Sequence, residues 1–99
     1  MAFWLSPAWF RERAQKREQQ AIETFLSLLQ SEGEEVQKLK NILLQIKAEQ
    51  NPAKKAGLAV QFEREFLQYE EAEHMLESID KKFLRKTLFK GIVEKSEAA

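Results

Sequence analysis

The sequence predicts an all-α protein, from its composition and from the spacing of its apolar residues. Its 99 residues include fifteen Glu against one Asp, twelve Leu and nine Gln, whereas Gly and Pro number three and two. Glu, Gln and Leu lose little rotamer freedom in a helix, and Asp, Gly and Pro tend to interrupt one. Apolar residues recur at spacings of three and four, the period of an amphipathic helix. We therefore expect a single domain, residues 1–99, folded as a three- or four-helix bundle or as an extended helical hairpin.

A first helix is expected over residues 7–30. Ser6 suits the N-cap, since its hydroxyl accepts a hydrogen bond from a free backbone N–H of the first turn. Pro7 at the first helical position loses no hydrogen bond, because that position has no intrahelical acceptor. Leu5 before the cap and Phe10 inside the helix match the spacing of a hydrophobic staple.

A second helix is expected over residues 32–50. Ser31 and Glu34 have the spacing of a capping box, in which each side chain accepts a hydrogen bond from a backbone N–H near the other residue. At the other end, Asn51-Pro52 predicts termination, because the residue before a proline is pushed out of the α region. The following residues, up to position 57, are interpreted as a short connection or a poor first turn.

The longest continuous apolar stripe predicts a third helix over residues 57–83. The stripe covers roughly a third of the helix circumference and consists of Leu58, Phe62, Phe66, Tyr69, Ala72, Leu76, Ile79 and Phe83. The apolar row then changes phase to Leu84, Leu88 and Ile92, which predicts a kink or a separate short helix over residues 84–92. Residues 94–99 are expected to fray.

Composition also excludes several classes of function. With no Cys, the chain has no disulfide, thiolate metal site or thiol nucleophile. One His and one Asp do not supply a hydrolytic triad, and Gly33, Gly57 and Gly91 are isolated rather than grouped in a phosphate-binding loop. A net charge of zero argues against a nucleic-acid-binding domain. We therefore expect a non-enzymatic protein with neither a cofactor nor a small-molecule substrate.

Two groups of apolar residues lie apart from the main stripes and point to interfaces. They are Trp4, Trp9 and Phe10 in the most hydrophobic segment of the chain, and Val60, Leu67 and Met75 on a second face of the third helix. Aromatic residues are enriched at the centres of protein interfaces. We expect the protein to bind another protein and to form a homodimer, as an adaptor, chaperone-like or regulatory module.

A membrane surface is the first alternative partner. The N-terminal aromatic residues are followed by Arg11, Arg13, Lys16 and Arg17, and aromatic rings beside basic side chains suit the headgroup region of an anionic bilayer. A secretory signal has its basic residues before the apolar run, whereas here they follow it, so we expect a cytoplasmic protein.

A carboxylate metal site is the second alternative. Glu71 and His74 have the Glu-x-x-His spacing with which ferritin-like proteins hold iron or manganese. Such a site needs a second pair, which a dimer would supply, and Glu18 is a further candidate ligand because it interrupts the apolar row of the first helix. In a chain with fifteen Glu and one His, a single pair of this kind also arises by chance.

Charge is segregated along the chain. Residues 52–80 hold seven acidic and three basic side chains, a net charge of −4, and residues 81–99 hold six basic and two acidic side chains, a net charge of +4. One interpretation is solvated helix faces with cations near helix C-termini, where the helix dipole favours them. The other is a head-to-tail pairing in which the basic end of one copy meets the acidic stretch of another.

Overall fold

The structure, a computed structural model, describes residues 7–98, and all regular secondary structure in that range is helical. The predicted all-α class is therefore confirmed. Six helices occur where three or four were expected: α1 (Pro7–Leu28), α2 (Glu34–Ala48), α3 (Pro52–Gln68), α4 (Ala72–Leu76), α5 (Lys81–Leu84) and α6 (Lys90–Ala98). The predicted bounds of the first two, residues 7–30 and 32–50, each extend about one half-turn too far.

The three long helices run alternately up, down and up. Short connections join α1 to α2 and α2 to α3, as expected of antiparallel neighbours. Lys47 Nζ lies 3.5 Å from Glu23 Oε1 and links α2 to α1. Lys38 Nζ lies 3.6 Å from Glu65 Oε2 and links α2 to α3. Because α1 and α3 both run against α2, they share one direction.

Four phenylalanine rings form the centre of the core. Phe25 of α1 meets Phe62 and Phe66 of α3 and Phe89, which precedes α6, with ring centroids 5.0, 5.2 and 5.2 Å away and steep interplanar angles. All four rings are fully buried. Edge-to-face contact adds to their apolar burial, so this cluster ties the C-terminal segment to the long helices. The other fully buried side chains are Ile22, Leu29, Leu39, Leu43, Ile46, Leu84, Ile92 and Val93.

The single helix predicted over residues 57–83 is wrong. The chain leaves helical geometry at Tyr69, with φ −74° and ψ 132°, and continues through two short helices, although the break contains neither Gly nor Pro. A straight helix of that length would extend roughly 40 Å and leave its second half without a core to cover. The turns instead fold Ala72, Leu76 and Ile79 back onto the core, where all three are buried. The free energy gained by burying these side chains therefore outweighs the preference for one continuous helix that their spacing predicts.

The starts of α2 and α3 also differ from the prediction. α2 begins at Glu34 with no side-chain cap, so the Ser31–Glu34 capping box is wrong. Gly33 takes a φ of 133°, which favours glycine, and turns the chain into α2 so that Ser31 stays outside the helix. Asn51 and Pro52, which end α2, also start α3: Asn51 Oδ1 accepts hydrogen bonds from the N–H groups of the second and third helical residues at 2.9 and 3.2 Å.

The helix predicted over residues 84–92 is wrong as well. Between α5 and α6, the Thr87 hydroxyl donates to the Leu84 carbonyl at 2.7 Å and accepts from the Phe89 N–H at 3.1 Å, so the Phe89 N–H is bonded to a side chain instead of a helical carbonyl. Residues 94–98 are helical rather than frayed, and Glu97 forms an ion pair with Arg85. Residue 99 lies outside the described residues.

Gly91 lies in the first turn of α6. A Cβ atom at this position would lie 2.9 Å from Cδ of Glu63, which is buried on α3. The Glu63 carboxylate is held by Lys95 Nζ at 2.5 Å. A side chain at position 91 would therefore displace the buried Glu63 carboxylate of a neighbouring helix, which favours glycine here.

Candidate interaction surface

The first fourteen residues of α1, residues 7–20, extend beyond the core and are called the α1 arm below. None of their side chains is buried, and the first buried residue of α1 is Ala21. α1 is roughly 33 Å long, and the described chain measures 51 Å along its longest axis against 27 and 21 Å along the other two. The arm is therefore a helical projection rather than part of the packed core.

Two aromatic side chains are exposed on the arm. Trp9 is 38% exposed and Phe10 is 53% exposed. Their ring centroids lie 5.0 Å apart at 83°, and the guanidinium carbon of Arg13 lies 4.9 Å from the centroid of the Trp9 ring. A cation at this distance from an indole face is held by the ring quadrupole. Trp4, the third aromatic residue of the predicted interface, lies outside the described residues.

The arm is also basic. Arg11, Arg13, Lys16 and Arg17 outnumber Glu12 and Glu18. Trp9, Arg13 and Lys16 line one shallow groove of about 400 Å³, so aromatic and basic side chains share a face. Among residues 7–98, Arg11 and Lys16 form no ion pair within 4 Å. Their charges are therefore not neutralised by contacts inside the described chain.

An open cleft of about 650 Å³ separates the arm from the turn between α2 and α3. Glu12 and Lys16 line its arm side, and Lys47 and Glu49 line the opposite side. Both walls carry charges of both signs. The cleft keeps the arm away from the α2–α3 turn.

Glu18 fixes the base of the arm. Its carboxylate accepts the backbone N–H of Leu88, which lies in the segment before α6, at 3.1 and 3.2 Å. Burial raises the pKa of the Glu18 carboxyl above its ordinary value of 4.5, although the Leu88 N–H, Lys55 and Arg17 act in the opposite direction. Sequence reasoning identified Glu18 only as a candidate metal ligand, because its partner lies 70 positions away along the chain.

The second predicted group, Val60, Leu67 and Met75, does not form one surface patch. Val60 is exposed on α3, whereas Met75 is buried because α4 turns it towards the core. Met75 is therefore not accessible to a partner of the folded chain. Leu67 is half-buried and lines a surface groove.

That groove has a volume of about 450 Å³ and is called the α4 groove below. Leu67, Tyr69 and the buried Leu76 form its apolar lining, Glu70 and Glu73 lie on its α4 side, and Lys95 of α6 also lines it. Both acidic side chains are exposed, and among residues 7–98 neither forms an ion pair within 4 Å. The groove thus combines an apolar lining with two acidic side chains, while Lys95, the cation in its lining, is paired with Glu63.

Some of the C-terminal basic side chains pair within the chain. Lys95 binds Glu63, and Arg85 binds Glu97. Glu63 lies outside the 81–99 segment, so its pair with Lys95 neutralises one of the net positive charges of that segment. Arg85 and Glu97 both lie within the segment, and its net charge of +4 already includes both.

The candidate metal ligands lie in two separate places. His74 is exposed on α4, with Nδ1 3.7 Å from Glu77 Oε2, and Glu71 is exposed just before that helix. Glu18 is bonded to Leu88 instead. No cluster of three or more potential ligands occurs among residues 7–98. The metal hypothesis therefore still requires a second copy.

None of the helices between residues 7 and 98 is both long enough and apolar enough to cross a bilayer. Comparison with known proteins gives no family: no protein-family model, no curated protein and no solved structure matches this chain.

Proposed function

We propose that this protein is a small, non-enzymatic protein-interaction module with a helical-bundle body, which acts in the cytoplasm as an adaptor or regulator. The α1 arm is its main contact surface, and its partner is a second copy of the chain or another protein. The exposure of Trp9 and Phe10 on a helix that extends beyond the core is the observation that supports this function.

The composition of the arm is the physical reason. Solvent-exposed aromatic rings gain free energy when a partner removes them from water, at about 25 cal/mol per Å² of apolar surface. Tryptophan and arginine are also the residues in which interface binding energy concentrates. The arm presents both, with Arg13 packed on the Trp9 ring. Because the cation is already held by the ring, less side-chain freedom is lost on binding.

An anionic membrane surface is the second candidate, favoured by the same aromatic and basic residues. An interfacial helix places its apolar residues on one face and its cations at the edges of that face. Here Arg13 lies over the Trp9 ring, within the aromatic surface itself. This interleaving favours a protein partner with acidic side chains over a lipid surface.

Affinity capture with the full-length chain tests the function. Wild type and the double variant Trp9→Ser/Phe10→Ser are used to recover proteins from the native host, and recovered proteins are compared by mass spectrometry. We expect specific proteins, or further copies of the chain, that the double variant loses. Leu44→Ser is the matched control, since Leu44 is also exposed but lies on α2, away from the arm.

Two outcomes contradict the proposal. Recovery of the same proteins by wild type and the double variant would mean that the arm is not the contact surface. Co-sedimentation with anionic vesicles that the double variant loses, without any recovered protein, would favour the membrane candidate instead.

A further inference from the structure

We propose that the α1 arm of one copy of this chain docks into the α4 groove of a second copy, head to tail. This inference rests on the proposed function and commits the partner of the arm to a second copy. It differs from the pairing suggested by charge along the sequence, since the basic partner is the arm rather than residues 81–99.

The two surfaces match in chemistry. The arm offers Phe10, its most exposed apolar side chain, next to Trp9. The α4 groove offers an apolar lining in which Leu67 and Tyr69 are half-buried and so still partly exposed to water. Covering both removes apolar surface from water on each side of the contact.

The two surfaces also match in charge. Arg13, Lys16 and Arg17 line the same face of the arm as Trp9, and they outnumber Glu12, the one acidic residue of that groove. Glu70 and Glu73 line the α4 side of the groove, and neither is neutralised by an ion pair within residues 7–98, whereas Lys95 in the same lining is paired with Glu63. Opposite charges around an apolar centre orient the two copies as they approach each other. They disfavour contacts of arm with arm or of groove with groove, in which like charges would meet.

Geometry separates the two surfaces within one copy. α1 and α3 run in the same direction, and Glu18 lies beside Lys55 near the start of α3. Phe10 lies before Glu18 on α1, and Leu67 lies after Lys55 on α3, so the two residues extend in opposite directions from the point where Glu18 and Lys55 meet. At 1.5 Å per residue along each helix, the arm and the groove lie roughly 30 Å apart. One chain therefore cannot fill its own groove. Two unlike surfaces at opposite ends give a heterologous contact, which continues from copy to copy unless the rotation closes a ring.

Charge reversal tests the docking. Arg13→Glu/Lys16→Glu reverses the arm, and Glu70→Lys/Glu73→Lys reverses the groove rim. Sedimentation of the full-length wild type over about a hundredfold range of concentration should show an average mass that rises with concentration. We expect each reversed variant alone to self-associate at least about tenfold more weakly, because its arm and rim then carry charges of the same sign.

Mixing the two reversed variants is the decisive measurement. The acidic arm of one then meets the basic rim of the other, and the remaining native arm meets the remaining native rim. We expect the mixture to associate again, with both variants in the same complex. Lys81→Glu/Lys82→Glu is the control for a general effect of charge, since it reverses two exposed cations in the first turn of α5, outside both surfaces.

Three results overturn the docking: a wild type that stays monomeric throughout, reversed variants that associate like wild type, and a mixture that stays dissociated. Circular dichroism checks that the variants are folded. If the reversal unfolds the chain, Arg13→Gln/Lys16→Gln replaces it and is expected to weaken association to a smaller degree. A monomeric wild type that still captures other proteins through Trp9 and Phe10 would overturn this inference and leave the proposed function standing.

Discussion

The carboxylate of Glu18 accepts the backbone N–H of Leu88 through both oxygens, at 3.1 and 3.2 Å, and so joins the base of the α1 arm to the segment before α6. Leu88 is half-buried and follows a buried threonine, so its N–H has little access to water. A donor in such a place needs an acceptor inside the protein. Glu18 therefore has a structural role that fixes where the arm leaves the core.

Glu18→Ala should lower the free energy of unfolding by about 1 kcal/mol, because it leaves the Leu88 N–H without its acceptor. Glu18→Gln keeps an amide oxygen that can accept the same hydrogen bond and should stay within about 0.5 kcal/mol of wild type. Urea unfolding followed by circular dichroism measures both. Equal stability of the Ala and Gln variants would mean that the hydrogen bond does not stabilise the fold.

The pH dependence of the same pair has a definite sign. Because burial raises the pKa of Glu18 above 4.5, the folded chain keeps this proton at a pH where the unfolded chain has lost it. The part of the stability that comes from keeping Glu18 protonated is therefore fully present below pH 4.5 and is lost as the pH rises through the raised pKa, whereas the hydrogen bond to the Leu88 N–H does not require that proton. The unfolding free energy of Glu18→Gln minus that of wild type should increase between about pH 4 and about pH 7. A difference that shrinks over this range would mean that the Leu88 hydrogen bond outweighs burial.

Local signals predict the long helices but not the path of the chain after α3. The stripe of α2 and the Asn51-Pro52 break are read within a few neighbouring residues, and the helices predicted over 7–30 and 32–50 end within two residues of the observed bounds. Ser6, the predicted cap of α1, lies outside the described residues. α4 and α5 have five and four residues, about one turn each, and one turn shows no period. The positions of α4 and α5 depend instead on which apolar side chains after α3 can pack against the core formed by the long helices.

In the candidate interaction surface too, local features can be predicted from the sequence, and contacts between distant residues cannot. Exposure of Trp9 and Phe10 follows from an apolar segment that precedes a stretch of α1 with almost no apolar residues. The Glu18–Leu88 hydrogen bond and the contact between Glu63 and Gly91 join residues far apart in sequence, so no local pattern predicts them. Asp80 was the missed local signal: as the only Asp, it caps α5 by accepting from the N–H groups of Lys82 and Phe83 at 3.0 and 3.4 Å.

Gly91→Ala should destabilise the wild type although alanine is the better helix former. The new Cβ would push against the Glu63 carboxylate, and moving that carboxylate would break its ion pair with Lys95. In a Glu63→Ala background the space is free, and the same change should stabilise the protein by about 0.5–1 kcal/mol. A double-mutant cycle in urea measures the coupling. Additive effects of the two substitutions would contradict this account.

Phe89→Ala should be among the most destabilising single substitutions, with a loss of about 3–5 kcal/mol. Phe89 is fully buried and packs edge-on against Phe25 and Phe62, 5.2 and 5.5 Å away, so truncation leaves a cavity between α1 and α3. Phe10→Ala removes the same side chain from the exposed arm and should change stability by less than about 0.5 kcal/mol. Thermal unfolding distinguishes the two. A large loss for Phe10→Ala would show that the arm packs on the core.

Removal of the two candidate helix caps, at the starts of α2 and α3, should change the free energy of unfolding by different amounts. Asn51→Ala removes the side-chain oxygen that accepts from the N–H groups of Ala53 and Lys54, and should cost about 1 kcal/mol. Ser31→Ala should cost almost nothing, because α2 begins after Gly33 and has no side-chain cap. Urea unfolding of both variants decides the point, with Asn51→Asp as a control that keeps a capping oxygen. A loss of similar size for Ser31→Ala would mean that the capping box forms in solution and that α2 begins at residue 32. A neutral Asn51→Ala would mean that Pro52 alone sets the start of α3.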